Sequence, residues 1–346
     1  MDEIKRTDIN ELGEFGLIGH LTKDLAIINE STILGVGDDA AIIRNGEHLM
    51  LLTTDMLVEG IHFDLMYTPL KHLGYKSVIV NLSDIYAMNG RPEQITVSIA
   101  LSNRFSVEAI EELYSGIKKA CEVYGVDLVG GDTTSSNKGL IISITAIGKV
   151  EKDKVVRRSG AKKGDLICVS GDLGASYIGM QLMEREKQLF LSKSIPEFKA
   201  DFEDQKYIVG RHLLPEARKD IIGFFNQQGI IPTSMIDISD GLSSELFHIC
   251  KNSGVGAYIE EGNVPIHLET QQMAIKFNMD PITAALSGGE DYELLFTLDP
   301  GDVEKIRFQN DIAIIGEIVS KEDGVRLHTT GGNVHPIVAQ GWKHFG

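Results

Sequence analysis

At 346 residues the chain is long enough for two domains that each bury a core, and 42% hydrophobic with 24% charged residues excludes a disordered polymer. A formal charge of −17 argues against nucleic acid and anionic membranes, which are usually met by basic patches, and the apolar runs stop well short of the roughly 20 residues that cross a bilayer. The mixed-charge start Met1-Asp2-Glu3-Ile4-Lys5-Arg6 leads into no apolar leader, so the chain reads as cytoplasmic; Cys121, Cys168 and Cys250 have neither disulfide nor zinc spacing.

Apolar residues at helical spacing from Ile9 to Leu25 predict an opening amphipathic helix. Strands are expected at Ala40 to Arg44 and His48 to Thr54, then a helix from Thr68-Pro69 to about Met88 with the proline in its first turn. Arg91-Pro92 breaks the pattern before a strand at Gln94 to Leu101. Ser106 is a helix N-cap, with that helix ending near Gly125, and strands follow at Val126 to Val129 and Leu140 to Lys149. The charged, glycine-bearing segment Glu151 to Asp165 is the expected junction, dividing the chain into domains at 1–150 and 151–346.

Beyond the junction a strand at Leu166 to Ser170 precedes a mainly helical stretch from Ala175 to about Gln228, in which Pro215 marks a helix start; Glu184 to Gln205 has no assigned role. Helices are expected near Leu242 to Lys251 and Thr270 to Phe277. Strands are expected at Gly256 to Glu260, Glu293 to Leu298 and Asp311 to Ile315. The alternation is that of an α/β protein in two halves.

Chemistry concentrates in short acidic clusters. Asp38 and Asp39 lie in a glycine-rich turn, which alone reads as an ordinary solvated turn. Thr53-Thr54-Asp55 ends an apolar strand, presenting either hard oxygen ligands for Mg²⁺ or a helix N-cap. Asp84 sits inside the apolar-periodic segment Val78 to Met88, where an unpartnered buried carboxylate would cost several kcal/mol, so it is either metal-bound or exposed. Gly130-Gly131-Asp132 follows another strand, as a phosphate-approaching turn or a plain strand-to-loop turn. Asp237 and Asp240 flank Ser239 ahead of a helix, and Ser287 to Glu293 forms a further acidic cluster ahead of a strand. Arg157 to Lys163 is the one concentrated basic stretch, a solvated linker or a phosphate clamp. Walker, dinucleotide-binding and H-E-x-x-H motifs are absent. Together these clusters suggest a Mg²⁺-dependent phosphoryl-transfer enzyme that uses ATP.

Read in order, Gly37-Asp38-Asp39-Ala40, Thr53-Thr54-Asp55 with Val58-Glu59-Gly60-Ile61-His62-Phe63, Asn81 to Ile85, Gly130 to Thr133, Arg158 to Lys162, Asp237 to Leu242 and Gly288 to Leu294 resemble the thiamine-monophosphate kinase family along nearly the whole chain. The resemblance implies the two-domain fold shared with aminoimidazole ribonucleotide synthetase and selenophosphate synthetase, with the first domain forming a homodimer and ATP near the subunit interface. It implies direct transfer from ATP to thiamine monophosphate, with several Mg²⁺ ions, no phosphoenzyme and no nominated catalytic base; a K⁺ requirement is left open. Asp38, Thr53, Thr54, Asp55, Asp84, Asp132, Asp237 and Asp240 match the family's Mg²⁺ ligands. Gly131, Asp132, Arg158 and Ser239 match its ATP contacts. His62, Glu290 and Trp342 match its contacts to thiamine monophosphate, Trp342 by stacking on the thiazolium. The alternatives are another ATP-using synthetase of the same superfamily, or a non-catalytic metal- or nucleotide-binding module.

Overall fold

A computed structural model describes residues 9–193 and 202–338. The first half contains helix α1 (Ile9–Thr22), strands β1 (Thr32–Leu34), β2 (Ala41–Asn45) and β3 (His48–Val58), helix α2 (Leu70–Ala87), strand β4 (Arg91–Leu101), helix α3 (Val107–Tyr124), and strands β5 (Asp127–Ser135) and β6 (Ile141–Glu151). The second half contains β7 (Leu166–Ser170), α4 (Ala175–Lys193), α5 (Lys206–Leu213), α6 (Lys219–Gln228), β8 (Ser234–Asp237), α7 (Leu242–Ser253), β9 (Gly256–Glu260) and α8 (Leu268–Lys276). It continues through α9 (Pro281–Ser287), β10 (Leu294–Leu298), α10 (Val303–Ile306), β11 (Ile312–Val319), β12 (Val325–His328) and β13 (Val334–Pro336).

Two mixed sheets result, in the orders β1-β2-β3-β6-β4-β5 and β13-β12-β9-β11-β7-β10-β8. Among the described strands, β4–β5 and β9–β12 pair in parallel and the other pairs are antiparallel. This is the α/β architecture in two halves that the alternation of elements predicts, although the largest apolar cluster runs through both, from Ile42 and Leu82 to Phe225 and Phe296.

Helix α2 decides how the sheets meet. Twelve of its eighteen residues are buried, so the helix is covered over most of its circumference. It packs on β3, β4 and β6 of the first sheet and also on β8 of the second. Its contact with α3 is close because both helices carry glycine at the crossing. A Cβ at Gly74 would stand 2.0 Å from the Leu113 carbonyl oxygen, and one at Gly116 only 1.8 Å from that of Lys71.

Several local expectations hold. Ser106 caps α3 by accepting from the Ala109 N–H at 3.3 Å, and Gly125 ends it in the left-handed region at φ 70°. Others are corrected. Strand β3 does not stop at Thr54 but pairs with β6 over its full length, from His48 opposite Glu151 to Val58 opposite Ile141, so Thr53, Thr54 and Asp55 lie within a strand and Asp55 is no helix cap. Strand β5 likewise continues through Gly130-Gly131-Asp132, which is therefore not a strand-to-loop turn. A Cβ on Gly131 would lie 1.8 Å from the Val97 carbonyl oxygen, so close strand approach already requires glycine at this position. Pro215 lies in the connection between α5 and α6, four residues before α6 begins at Lys219, and starts no helix. Strand β8 is too short, and too polar at Ser234, to be read from periodicity.

Replacing Gly116 with alanine should separate α2 from α3 or strain both, a loss of about 1–3 kcal/mol. Thermal unfolding of the variant should begin several degrees lower; an unchanged melting temperature would contradict the close crossing.

Candidate active site

A cavity of about 350 Å³ opens between the two sheets, next to α2. Its acidic end is assembled from four separate stretches of chain. Asp39 comes from the turn before β2, Asp55 from β3, Asp84 from α2, Asp237 from the end of β8 and Asp240 from the turn after it. Carboxylate oxygens of Asp39, Asp84 and Asp237 lie within 4.8 Å of one another.

Such a cluster is costly without a cation. Burial, reinforced by Asp39 alongside, raises the carboxyl of Asp237 to about 7 and that of Asp38 to about 6. Burial likewise raises Asp55 to about 6 and pushes Asp39 upward against the pull of Arg158. Burial, reinforced by Asp55, Asp237 and Asp39 around it, drives Asp84 well above the ordinary range. Among the described residues, the buried oxygens Asp39 Oδ2 and Asp55 Oδ2 have no hydrogen-bond partner. Hard, convergent, unsatisfied oxygens are the donor set Mg²⁺ takes, so the residues present fit that ion.

The remaining polar contacts hold the cluster open. Thr53 Oγ1 donates to Asp84 Oδ2, Ser83 Oγ donates to Asp237 Oδ2 at 2.7 Å, and the Asp55 N–H donates to Asn81 Oδ1 at 3.0 Å. Arg158 donates through Nε and Nη2 to Asp39 Oδ1 at 3.1 and 2.6 Å, while its backbone N–H meets Asp38 Oδ1 at 3.2 Å.

Backbone pairing explains why the two motifs of the second half arrive together. β8 and β10 are antiparallel, with Asp237 opposite Leu294, and their extensions stay in contact: the Ile238 N–H reaches the Glu293 carbonyl at 2.7 Å, and the Tyr292 and Glu290 N–H groups reach the carbonyls of Ile238 and Ser239 at 2.9 and 2.7 Å. Glu245 of α7 accepts from the backbone N–H of Asp240 at 2.8 Å and of Ser239 at 3.3 Å, which fixes the intervening turn.

Away from the acids the lining changes character. Leu57, Ile61, Val80, Tyr177 and Met180 form an apolar wall, and His62 and Glu290 add polar groups. The His62 ring is oriented by Nδ1, which accepts from the Val58 N–H at 3.1 Å.

Of the residues nominated from the sequence, Thr53, Thr54, Asp55, Asp84, Asp237, Asp240, Arg158, Ser239, His62 and Glu290 all line this cavity. Asp38 stands behind it, against Arg158. Gly131 and Asp132 do not line it; they lie exposed on β5, at the edge of the first sheet. Trp342 lies outside the described residues. Three contributors have no role that the sequence assigns: Asp39, Glu245, and Lys76, which reaches Glu290. Asp39 was legible only as the twin of Asp38, while Glu245 and Lys76 look in sequence like ordinary helix-surface charges.

Residues 37–150 match the family described as AIR synthase related protein, N-terminal domain. The chain is 36% identical over 337 residues to the thiamine-monophosphate kinase of Aquifex aeolicus, covering 97% of this chain and 99% of that protein. It is 31% identical over 343 residues to the thiamine-monophosphate kinase of Bacillus subtilis, covering 96% and 100% respectively. A solved structure of AaThiL complexed with AMPPCP and TMP matches with a TM-score of 0.83 at 35% identity, covering 98% of this chain and 99% of that one.

The raised carboxyls make cation binding dependent on pH. Because the folded values of Asp38, Asp55 and Asp237 lie at about 6 to 7, above the ordinary 3.8, their contribution to the cation-free protein is fully present below pH 4 and is lost as pH rises through 6 to 7. A bound cation removes that loss and displaces the protons. The rise in melting temperature on adding Mg²⁺ should therefore be larger at pH 8 than at pH 6, and should shrink in Asp237→Asn. Equal Mg²⁺-induced shifts at the two pH values would contradict this account.

Proposed function

The chain belongs to the thiamine-monophosphate kinase family, and we infer that it transfers the terminal phosphoryl group of ATP to thiamine monophosphate, giving ADP and thiamine diphosphate. The observation that carries this reading is a single cavity with a cation-ready carboxylate cluster on one side and an apolar wall with His62 and Glu290 on the other. One side suits phosphates and the other an organic ring system.

Asp39, Asp55, Asp84, Asp237 and Asp240, with the hydroxyls of Thr53 and Thr54, would hold Mg²⁺. When bound, the ion would supply neutralisation of the phosphate charge that builds up during transfer. Arg158 and Ser239, beside these carboxylates, orient the nucleotide phosphates. His62 and Glu290 seat the acceptor, so that its phosphate oxygen is brought in line with the γ-phosphorus. A bond forms between that oxygen and the γ-phosphorus as the bond to ADP breaks. An ionised phosphate is already a nucleophile at neutral pH, so no side chain is assigned as base.

We propose a homodimer that covers the β5 edge. All nine residues of that strand are exposed, including Leu128 and Val129, and an uncovered edge of this length is a template for pairing. Such a dimer leaves Gly131 and Asp132 near the subunit boundary, where the family resemblance puts ATP. We assign residues 1–150 to nucleotide and metal binding with dimerisation, residues 151–346 to completing the site, and the reaction to the cytoplasm.

Incubation with ATP, Mg²⁺ and thiamine monophosphate should yield thiamine diphosphate and ADP in equal amounts. Asp55→Asn should lower kcat at least about 100-fold, the scale of losing one transition-state contact, while its melting temperature in EDTA stays level or rises. Absence of thiamine diphosphate with folded protein would refute the kinase reading, and wild-type turnover by Asp55→Asn would refute that ligand.

A further inference from the structure

Glu290 is held in a way the phosphoryl chemistry does not require. Its Oε2 accepts from Lys76 Nζ at 3.0 Å and lies 3.2 Å from His212 Nδ1, and both partners are buried, Lys76 to 2% and His212 to 4% exposure. Lys76 arrives from α2 of the first half and His212 from α5 of the second, so the carboxylate is fastened from both sides of the cleft. His212 Nδ1 also has Ser176 Oγ 3.1 Å away, so the ring is tied into both halves of this polar cluster. Burial would raise the Glu290 carboxyl, but Lys76 and His212 outweigh it and hold the group far below the usual carboxylate range.

The backbone is constrained as well. Glu290 and Tyr292 both have positive φ, 62° and 53°, a region that costs an L-residue on the order of 1–2 kcal/mol. Between them, Asp291 accepts from the Gly174 N–H at 2.7 Å and its carbonyl from Arg211 Nη2 at 3.3 Å. With Lys76 and His212 both against Oε2, Oε1 is the Glu290 oxygen without a hydrogen bond among the described residues, on a side chain 26% exposed and lining the cavity.

An oriented acceptor of this kind selects by hydrogen bonding rather than by charge. The adjacent ammonium of Lys76 largely cancels the Glu290 charge, which weakens attraction to a diffuse cation such as the thiazolium and leaves directionality as the main discriminator. Thiamine monophosphate with its phosphate ionised has a single N–H donor, the exocyclic amino group of its pyrimidine. We propose that Lys76 and His212 are positioning residues that aim Glu290 Oε1 at that amino group, so that the site selects 4-aminopyrimidine over 4-oxopyrimidine acceptors. This rests on the reading of the cavity as the thiamine monophosphate site.

The test compares kcat/KM for thiamine monophosphate with that for its 4-oxo-pyrimidine analogue, which keeps the thiazolium and the phosphate but turns a carbonyl toward Glu290. The wild-type chain should prefer the amino compound by at least about 100-fold, as sites built around a donor–acceptor pair do. Lys76→Met and His212→Gln should each raise KM for thiamine monophosphate about tenfold or more, leave KM for ATP unchanged, and reduce the preference to below about tenfold. Lys76→Arg should preserve the preference, and Glu290→Gln, which offers an amide N–H, should narrow or reverse it. Equal use of both compounds by the wild type, or parallel losses with both that leave the preference intact in the variants, would overturn the proposal. If Lys76→Met does not fold, His212→Gln and Glu290→Gln carry the same comparison. No turnover of thiamine monophosphate by the wild type would instead remove the kinase reading on which the proposal rests.

Discussion

Everything in this molecule is organised around carboxylates that repel one another and are nevertheless kept together in a sheltered cleft. The cluster of Asp39, Asp84 and Asp237 has Arg158 as its close cation, bound to Asp39, with hydroxyls from Thr53 and Ser83 supplying most of the rest. A second acidic centre nearby shows what a charge balanced by cations looks like. Glu293 is buried completely, yet Arg211 and Arg218 both pair with it and Ser170 donates to it. The balanced group is structural and locks the frame of the second half. The unbalanced group stores a demand for positive charge that Mg²⁺ would meet, which is the ordinary relation between perturbed carboxyls and function.

Helix α2 converts that electrostatic problem into a geometric one. Lys76, Val80, Ser83 and Asp84 recur at spacings that share one helix face, and that face lines or borders the cavity. From a single rigid element, Lys76 reaches Glu290 and Ser83 reaches Asp237, two residues of the other half. The opposite side of the helix meets α3 through Gly74 and Gly116 at near backbone contact. Such a close seat leaves little room for translation, so a ligand bound between the halves meets groups whose separation is already set.

Much of this was legible from the chain alone, and the parts that were not share a cause. Ser106 and Gly125 bounded their helix correctly because capping is settled by groups within a few residues. Thr53 to Asp55 and Gly130 to Asp132 were read as strand exits because polar residues interrupt the apolar run. Both instead continue as strands, since their backbone hydrogen bonds go to β6 and β4, partners the local sequence does not reveal. Ser234 to Asp237 went unread as a strand because the neighbour that makes it one, β10, is about sixty residues away in the chain.

Composition, the aspartates beside Gly, Ser and Thr, and the ordered run of motifs determined by themselves the class of chemistry, the α/β construction and ten of the residues that line the cavity, because oxygen ligands and glycine turns are local properties of residue type. Only the tertiary structure decided that Asp39 belongs with Asp84 and Asp237, that Glu245 fixes the Ser239-Asp240 turn, and that Glu290 is fastened by Lys76 and His212. It also separated Asp132 from the cavity within one chain. Each of these depends on distances across elements far apart in sequence, and on burial, which turns an ordinary surface carboxylate or lysine into a charge that must find its partner.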